Sequence, residues 1–247
     1  MVQSLSASDV SVSFEGLRAL SNVTLDVPRG QVTGLIGPNG AGKTTLVNVL
    51  TGFQKPAGGT VSLDGESIGG VPPHQVRRKG IARTFQSGRL FADLSVLDNL
   101  EVTGVGLGLS RREAARKADR MLEWIGIPHL AERAAGGLPY TDERRAAIGR
   151  ALMLGPKYLL LDEPAAGMSA DEANDLAALI RRVVAEVKCG VLLIEHNIGL
   201  VLTVCDHIHV LDSGEVIEAG PPASIKASER VRHAYMGTQA EAEGAVL

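Results

Sequence analysis

The segment from residue 37 to residue 44 contains residue types suited to holding phosphate groups. It fits the spacing G-x-x-x-x-G-K-[ST], which ends on Lys43 and Thr44. Glycines let backbone N–H groups turn inward around phosphate oxygens because no Cβ obstructs them. The lysine supplies a cation for the terminal phosphates, and the hydroxyl can coordinate Mg²⁺. The pattern predicts a loop that binds a nucleoside triphosphate, formed by Gly37, Pro38, Asn39, Gly40, Ala41, Gly42, Lys43, Thr44 and Thr45.

Two adjacent carboxylates follow an apolar run farther along the chain. The run Tyr158–Leu161 precedes Asp162 and Glu163, and Pro164 ends it. A buried strand would carry the pair to the sheet edge where the phosphate loop lies. There Asp162 can hold hydrated Mg²⁺, and Glu163 can act as general base on the attacking water. Such a pair alone is typical of a solvated turn, but together with the loop it favours metal-assisted attack on a phosphate.

Two further polar residues stand directly after runs typical of strands. Gln86 follows Ile81–Phe85, and His196 follows Val191–Glu195. A single glutamine or histidine usually has no catalytic role. Gln86 and His196 become candidate site residues only because of where they stand relative to the phosphate loop and the acidic pair.

These residues require strands and helices to position them. Apolar runs of four to five residues alternate with helical patterns after residue 157, which indicates buried parallel strands. Between about residues 94 and 154 the pattern is helical, with apolar positions at helical spacing in Arg111–Gly126 and Thr141–Leu154. Further elements are predicted at Leu5–Phe14, Ala19–Val27, Gln31–Ile36, Lys43–Thr51, Gly58–Gly65, Asp171–Lys188, Ile198–Cys205, His207–Asp212 and Glu215–Glu218. The sequence predicts an α/β core with a mostly helical insertion.

Composition excludes several classes of protein. The 247 residues are 45% apolar and 21% charged, which is ordinary for a globular protein with a substantial core. A net charge of −3, with only four Phe, three Tyr and one Trp, argues against binding to nucleic acid. The two cysteines, Cys189 and Cys205, favour reduced, buried thiols over a disulfide framework. The sequence shows no signal-peptide pattern and no stretch of membrane-span length, so we expect a soluble chain.

The order of phosphate loop, Gln86, helical insertion, Asp162-Glu163 and His196 resembles the ATP-binding subunit of ATP-binding cassette (ABC) transporters. The resemblance extends from about Leu5 to Gly237. Within that superfamily the chain is similar to the ATPases of branched-chain amino acid importers. The stretches that carry this similarity are Gly37–Thr45, Ile81–Gln86, Arg89–Phe91, Asp162–Gly167, Ile194–Asn197 and Ala234–Gly237.

The resemblance implies a P-loop NTPase core of the ABC type, with a mostly parallel sheet and an N-terminal antiparallel β subdomain. The ABC-type domain would span residues 5–237. Its core would comprise 5–92 and 157–237, the inserted α-helical subdomain would cover about 93–156, and 238–247 would be a flexible tail. In this family Phe14 would stack on adenine, although it could also be a plain core residue of its strand. Gln86 would contact Mg²⁺ and sense the membrane partner, and His196 would contact the γ-phosphate. Thr44, Gln86 and Asp162 would then be the metal ligands, and Glu163 and His196 the catalytic residues.

The family also implies cofactors and partners. ATP and Mg²⁺ would be bound between this chain and a second ABC ATPase subunit, identical or different, arranged head to tail. Transmembrane permease subunits would dock on the helical insertion, a substrate-binding protein would act indirectly, and the chain would lie peripherally on the cytoplasmic face of the membrane. Three alternatives stay open: the ATPase of another ABC transporter, such as a urea or amide importer or a lipopolysaccharide exporter; a soluble ABC ATPase outside transport; and a protein that binds ATP without turnover.

One segment departs from the family pattern. The family signature Leu-Ser-Gly-Gly-Gln would precede the Thr141–Leu154 helix and reach the partner's γ-phosphate. Here it reads Leu138, Pro139, Tyr140, Thr141 and Asp142. Thr141 stands where glycine is expected, and its branched side chain restricts the approach of a phosphate. Asp142 and Glu143 add negative charge near that polyanion. One hypothesis is that the ATP site completed by this segment is weakened; the other is that Thr141 simply caps the helix.

Overall fold

The computed structural model describes residues 3–85, 88–153 and 155–235. Some residues named above lie outside this part of the chain: Gln86, Leu154, Met236, Gly237 and the predicted tail 238–247. In chain order the elements are β1 (Ser4–Phe14), β2 (Leu17–Pro28), β3 (Val32–Ile36), α1 (Lys43–Leu50), β4 (Gly58–Leu63), β5 (Glu66–Ser67), α2 (Pro73–Lys79), β6 (Ile81–Arg83), α3 (Val96–Gly106), α4 (Arg111–Ile125), α5 (Tyr140–Leu152), β7 (Tyr158–Asp162), α6 (Ala170–Arg182), β8 (Gly190–Ile194), α7 (Ile198–Val204), β9 (His207–Asp212), β10 (Glu215–Gly220) and α8 (Pro222–Ala227).

Two sheets organise these elements. The first is antiparallel, with strand order β2-β1-β4-β5. The second has the order β10-β9-β3-β8-β7-β6, and its strands run parallel except for β10, which pairs antiparallel with β9. This architecture confirms the predicted α/β class with a parallel sheet and an antiparallel β subdomain.

The central strands of the parallel sheet are buried along almost their whole length, which explains why their sequences are mostly apolar. Every residue of β3 and β8 is buried, as are the first four residues of β7. One core lies between the two sheets and includes apolar side chains of α1, while a second core joins the other face of the parallel sheet to α3–α7. Burial on both faces favours an unbroken apolar run over an alternating one. The polar residues of interest therefore stand where these strands end.

The helices α3, α4 and α5 lie in the chain between β6 and β7, two strands that pair directly with each other. The capping boxes at Ser95 and Ser110 begin α3 and α4, each with an acidic residue three positions later. Apolar residues of α4 and α5 pack into the core that reaches the sheet. Cys189 and Cys205 are free and buried, as predicted. No helix among residues 3–85, 88–153 and 155–235 combines the length and apolar character needed to cross a bilayer.

Several element boundaries differ from the prediction. The helix α2 was not predicted; it begins after Pro72 and ends at Gly80, whose φ is positive. The strand predicted over Ile81–Phe85 stops at Arg83. The helix predicted over Asp171–Lys188 is α-helical only to Arg182, and a π-helical turn covers Val183–Val187. The last turn before Lys188 thus widens, which sequence periodicity alone does not reveal.

Candidate active site

The phosphate loop joins the end of β3 to the start of α1. Gly37 and Gly42 both have positive φ, at 150° and 102°. A Cβ on Gly37 would overlap the carbonyl oxygen of Leu211, and one on Gly42 would lie 2.8 Å from the carbonyl oxygen of Ala19. Any other residue would therefore push the loop away from β2 and β9. The loop holds its shape because these two positions are glycine.

Lys43 folds back over this loop. Its Nζ donates hydrogen bonds to the carbonyl oxygens of Gly37 at 2.7 Å and Pro38 at 2.8 Å, and the residue is only 8% exposed. Burial lowers the pKa of Lys43, while Glu163 and Asp162 act in the opposite direction. The buried ammonium group is hydrogen-bonded to neutral carbonyl oxygens, which leave its positive charge uncompensated. Phosphate oxygens are negatively charged and would bind it more strongly, so this position suits a bound polyanion.

A cleft of about 470 Å³ lies over the loop. Its walls are residues 39–45, the 17–19 segment of β2, Glu163 and the turn 213–214. That volume is within the usual range of small-molecule sites. Phe14 is not among the lining residues and is 45% exposed, so the alternative that it is a core strand residue is wrong. Its stacking on adenine stays a prediction.

A second cleft, of about 640 Å³, brings together Thr44, Asp162 and Glu163. The predicted metal ligands Thr44 and Asp162 thus face one space, and both are oxygen donors of the kind that Mg²⁺ prefers. Within the described residues no group of three or more His, Cys, Asp and Glu side chains is placed to hold a metal. The hydroxyl of Thr44 and the carboxylate of Asp162 fit an ion that takes few protein ligands and binds largely through phosphates and water, as Mg²⁺ usually does.

Asp162 forms a buried ion pair that sequence reasoning missed. Its Oδ2 accepts a hydrogen bond from Nη2 of Arg83 at 2.8 Å, and the two side chains are 12% and 8% exposed. Arg83 also donates from Nη1 to Oδ1 of Asn48 at 2.7 Å. The available signal was one arginine at the end of a strand, β6, that is otherwise apolar.

Glu163 follows β7 in a constrained conformation. Its φ is 46°, and its N–H donates to the carbonyl oxygen of Ile194 at 2.9 Å, which ties it to the end of β8. Left-handed backbone is costly for a residue other than glycine and is concentrated at functional sites. The side chain lines both clefts. Glu163 therefore shares one space with Lys43 of the phosphate loop and another with Asp162.

His196 lies beside Glu163. Its Nδ1 is 3.8 Å from Oε2 of Glu163, and its side chain is 57% exposed. The turn that carries it is held by Glu195, which is fully buried and accepts hydrogen bonds from the backbone N–H groups of Ala165, His196 and Asn197. Burial raises the pKa of Glu195, and these backbone hydrogen bonds partly oppose that effect. Glu195 is a second residue whose role was not predicted.

The departure from the family signature lies at the start of α5. That helix begins at Tyr140, with Pro139 as its N-cap, so the expectation that Thr141 caps the helix is wrong. Thr141 instead donates a hydrogen bond to Oε1 of Glu172 at 2.5 Å. That bond comes first among the causes that lower the pKa of Glu172 to about 2. The hydroxyl is thus engaged within its own chain.

The structure brings some of the predicted residues together and leaves others apart. Tyr140 reaches the second cleft, where it lines the wall with Glu143 and Arg144. Its hydroxyl pairs with Arg144, which is itself buried. Of the described residues that line this cleft, none is Leu138, Pro139, Thr141 or Asp142. Most of the signature segment is therefore separate from the site that this chain's own phosphate loop forms.

Comparisons with known proteins agree with this arrangement. The family described as ABC transporter matches residues 20–166. The high-affinity branched-chain amino acid transport ATP-binding proteins BraF of Pseudomonas aeruginosa and LivG of Escherichia coli K12 are 43% and 40% identical to the chain; each alignment covers 94% of this chain and 97% of the relative. The ADP conformation of MJ1267, an ATP-binding cassette of an ABC transporter, is 32% identical, covers 96% of this chain and 100% of its own, and superposes with a TM-score of 0.88. The chain belongs to the ABC transporter family, as an ATP-binding cassette.

Proposed function

We propose that this chain binds and hydrolyses ATP to power an importer of branched-chain or other hydrophobic amino acids. The observation that carries the ATPase part is the convergence of Lys43, Thr44, Asp162 and Glu163 beyond the carboxyl ends of β3 and β7, two parallel strands of one sheet with β8 between them. The transported class is supported by the names of relatives that match almost the entire chain.

Each residue has a defined part in this proposal. The backbone of residues 37–42 and Nζ of Lys43 bind the phosphates, exchanging the carbonyls of Gly37 and Pro38 for phosphate oxygens. Thr44 and Asp162 hold Mg²⁺, which when bound neutralises developing charge on the phosphates. Glu163 takes a proton from the attacking water. His196 orients that water and contacts the terminal phosphate, a role that its position beside Glu163 supports.

The partners follow from the family. Two cassettes pair head to tail, with the segment 138–142 of each chain facing the other's nucleotide. Permease subunits dock on the helical insertion, and a substrate-binding protein delivers the amino acid. An apolar cleft of about 320 Å³ near Phe53, Pro73 and Phe85, with Phe53 exposed, extends this docking surface onto the core segment that precedes the insertion. In this assembly the chain is peripheral to the membrane, on its cytoplasmic face.

Calorimetric titration of the purified chain with ATP, with and without Mg²⁺, tests the central claim. We expect binding that Mg²⁺ strengthens, and loss of that binding in Lys43→Ala. Lys55→Ala, which changes an exposed lysine after α1, is the matched control and should bind as the wild type does. A wild-type chain without Mg²⁺-dependent affinity for ATP, alone or with its permease, would refute the proposal.

A further inference from the structure

We propose that Arg83 is a positioning residue that sets Asp162 and helix α1 for the binding of Mg²⁺ with ATP. This inference rests on the proposed ATPase function and adds to it a residue to which the sequence analysis assigned no role. It concerns the guanidinium group as a bridge between the two elements that carry Thr44 and Asp162.

The bridge is formed by the two arms of one guanidinium. Nη2 donates to Oδ2 of Asp162 at the end of β7, and Nη1 donates to Oδ1 of Asn48 on α1. Asn48 lies four residues after Thr44, so the two share a face of the helix. Holding Asn48 therefore fixes the rotation of α1 that presents Thr44. One side chain thus sets the relation between Thr44 and Asp162, two of the three predicted metal ligands.

The guanidinium group of Arg83 also contacts the aromatic ring of Phe85, which restricts its movement further. Cζ of Arg83 lies 4.7 Å from the ring centroid of Phe85, so the planar group is stacked as well as hydrogen-bonded. Within the described residues its Nε is buried with no hydrogen-bond partner. A buried charge with one unsatisfied N–H contributes little to net stability, since desolvation offsets the attraction. Because the arrangement contributes little to stability, we attribute it to a different role, which is to hold Asp162 and Asn48 in fixed positions at the site.

Asp162 is left with its two oxygens in different environments. Oδ2 is engaged by Arg83, while Oδ1 accepts no hydrogen bond from the described residues. Fixing one oxygen restricts the rotamer of the carboxylate and reserves the other for a ligand. A guanidinium also repels a divalent cation, so positioning and repulsion change the Mg²⁺ affinity in opposite directions. The two short hydrogen bonds of the guanidinium, one to Asp162 and one to Asn48, favour positioning as the larger effect.

The test measures metal loading in the full-length chain, using calorimetry of ATP binding across a Mg²⁺ series and Mn²⁺ binding by electron paramagnetic resonance. In Arg83→Met and Arg83→Lys we expect the half-saturating metal concentration to rise about tenfold, as for other residues that orient metal ligands. ATP affinity without metal should change less than about twofold. Arg83→Lys keeps the charge but loses the fork, so it separates geometry from charge.

Two further variants complete the design. Asn48→Ala removes only the acceptor on α1 and should shift metal loading in the same direction by a smaller factor. Arg182→Met is the matched control: Cζ of Arg182 lies 4.6 Å from the ring centroid of Trp124, and Arg182 lines neither cleft of the candidate site, so metal loading should stay at the wild-type value. If Arg83→Met does not fold, Arg83→Lys and Asn48→Ala still decide.

Wild-type metal loading in Arg83→Lys would overturn the positioning role, because charge alone would then suffice. Tighter loading in Arg83→Met would overturn it too, since repulsion would be the dominant effect. Both results leave the ATPase proposal intact, provided that the wild type shows Mg²⁺-dependent ATP binding. Failure of the wild type to bind would overturn both.

Discussion

The hydroxyl of Thr141 donates a hydrogen bond to Glu172, which joins the first turn of α5 to the first turn of α6. Glu172 also completes the capping box of α6, with its Oε2 accepting from the backbone N–H and the hydroxyl of Ser169. The side chain of Thr141 therefore occupies the position where the family has a glycine, and a hydrogen bond within the same chain holds it there.

The ATP site completed by this segment should improve when the side chain is removed. Thr141→Gly restores the close approach of a phosphate to α5, and we expect the ATPase rate of the assembled transporter to rise by up to about tenfold, the effect of one charge-assisted hydrogen bond. Steady-state phosphate release measures this rate. Thr141→Ser keeps the hydroxyl and is the control, expected near the wild-type rate. An unchanged rate in Thr141→Gly would count against a weakened site.

The same contact predicts the acid behaviour of Glu172. Its pKa is held at about 2, below the ordinary 4.5, by hydrogen bonds that the ionised form accepts. Stabilisation from this group is therefore present above about pH 4.5 and is lost as the pH falls toward 2. Thr141→Val removes the largest cause, so the pKa of Glu172 should rise toward its ordinary value.

Carbon-13 NMR of labelled glutamate carboxyls measures this shift. The control is Thr203→Val, which removes a hydroxyl that donates to the carbonyl oxygen of Gly199 and touches no carboxylate. An identical titration of Glu172 in wild type and Thr141→Val would show that the hydroxyl does not set its pKa.

Substitution of the general base should separate binding from hydrolysis. Glu163→Gln keeps the shape of the side chain but cannot accept the proton, so we expect kcat to fall by about 100-fold or more while ATP binding persists. Trapped ATP should then favour the closed dimer, which light scattering would detect as ATP-dependent growth in mass. Glu215→Gln, at an exposed position on β10, should hydrolyse at the wild-type rate. Full-speed hydrolysis in Glu163→Gln would remove this residue from the proposed role.

The far end of β7 contains a contact that concerns stability. Tyr158 is fully buried, and its hydroxyl donates to Oδ1 of Asp64 at 2.5 Å. Tyr158→Phe should lower the free energy of unfolding by about 1–2 kcal/mol, because the partly buried carboxylate of Asp64 loses a donor. Urea denaturation measures it, and ATP affinity should not change, since the nucleotide site lies at the opposite end of the strand. Lys157→Met, which removes the half-exposed partner of Asp64, should cost less than about 1 kcal/mol. Wild-type stability in Tyr158→Phe would contradict this account.

Local motifs account for much that was predictable. The phosphate loop could be predicted because all of its functional groups lie in one short, contiguous segment. Its glycines, lysine and threonine therefore form a pattern that is recognisable from the sequence alone. The fold class was predictable for a similar reason: strands buried on both faces favour unbroken apolar runs, and β7 and β8 have them up to their last residues. Helix α2 was missed because it buries only Val76 and so shows no apolar period.

The sequence by itself determined the loop chemistry, the acidic strand end and the alternation of strands and helices. Only the tertiary structure decided that Arg83 meets Asp162 and Asn48, and that Thr141 meets Glu172. These partners are 79, 35 and 31 residues apart in the chain. Their meeting depends on the order of strands in the sheet and on how α5 packs beside α6. Such contacts leave no periodic pattern in the sequence. A hydrogen bond between two distant residues depends on where the fold places them, and it does not require any particular residue types in the chain between them.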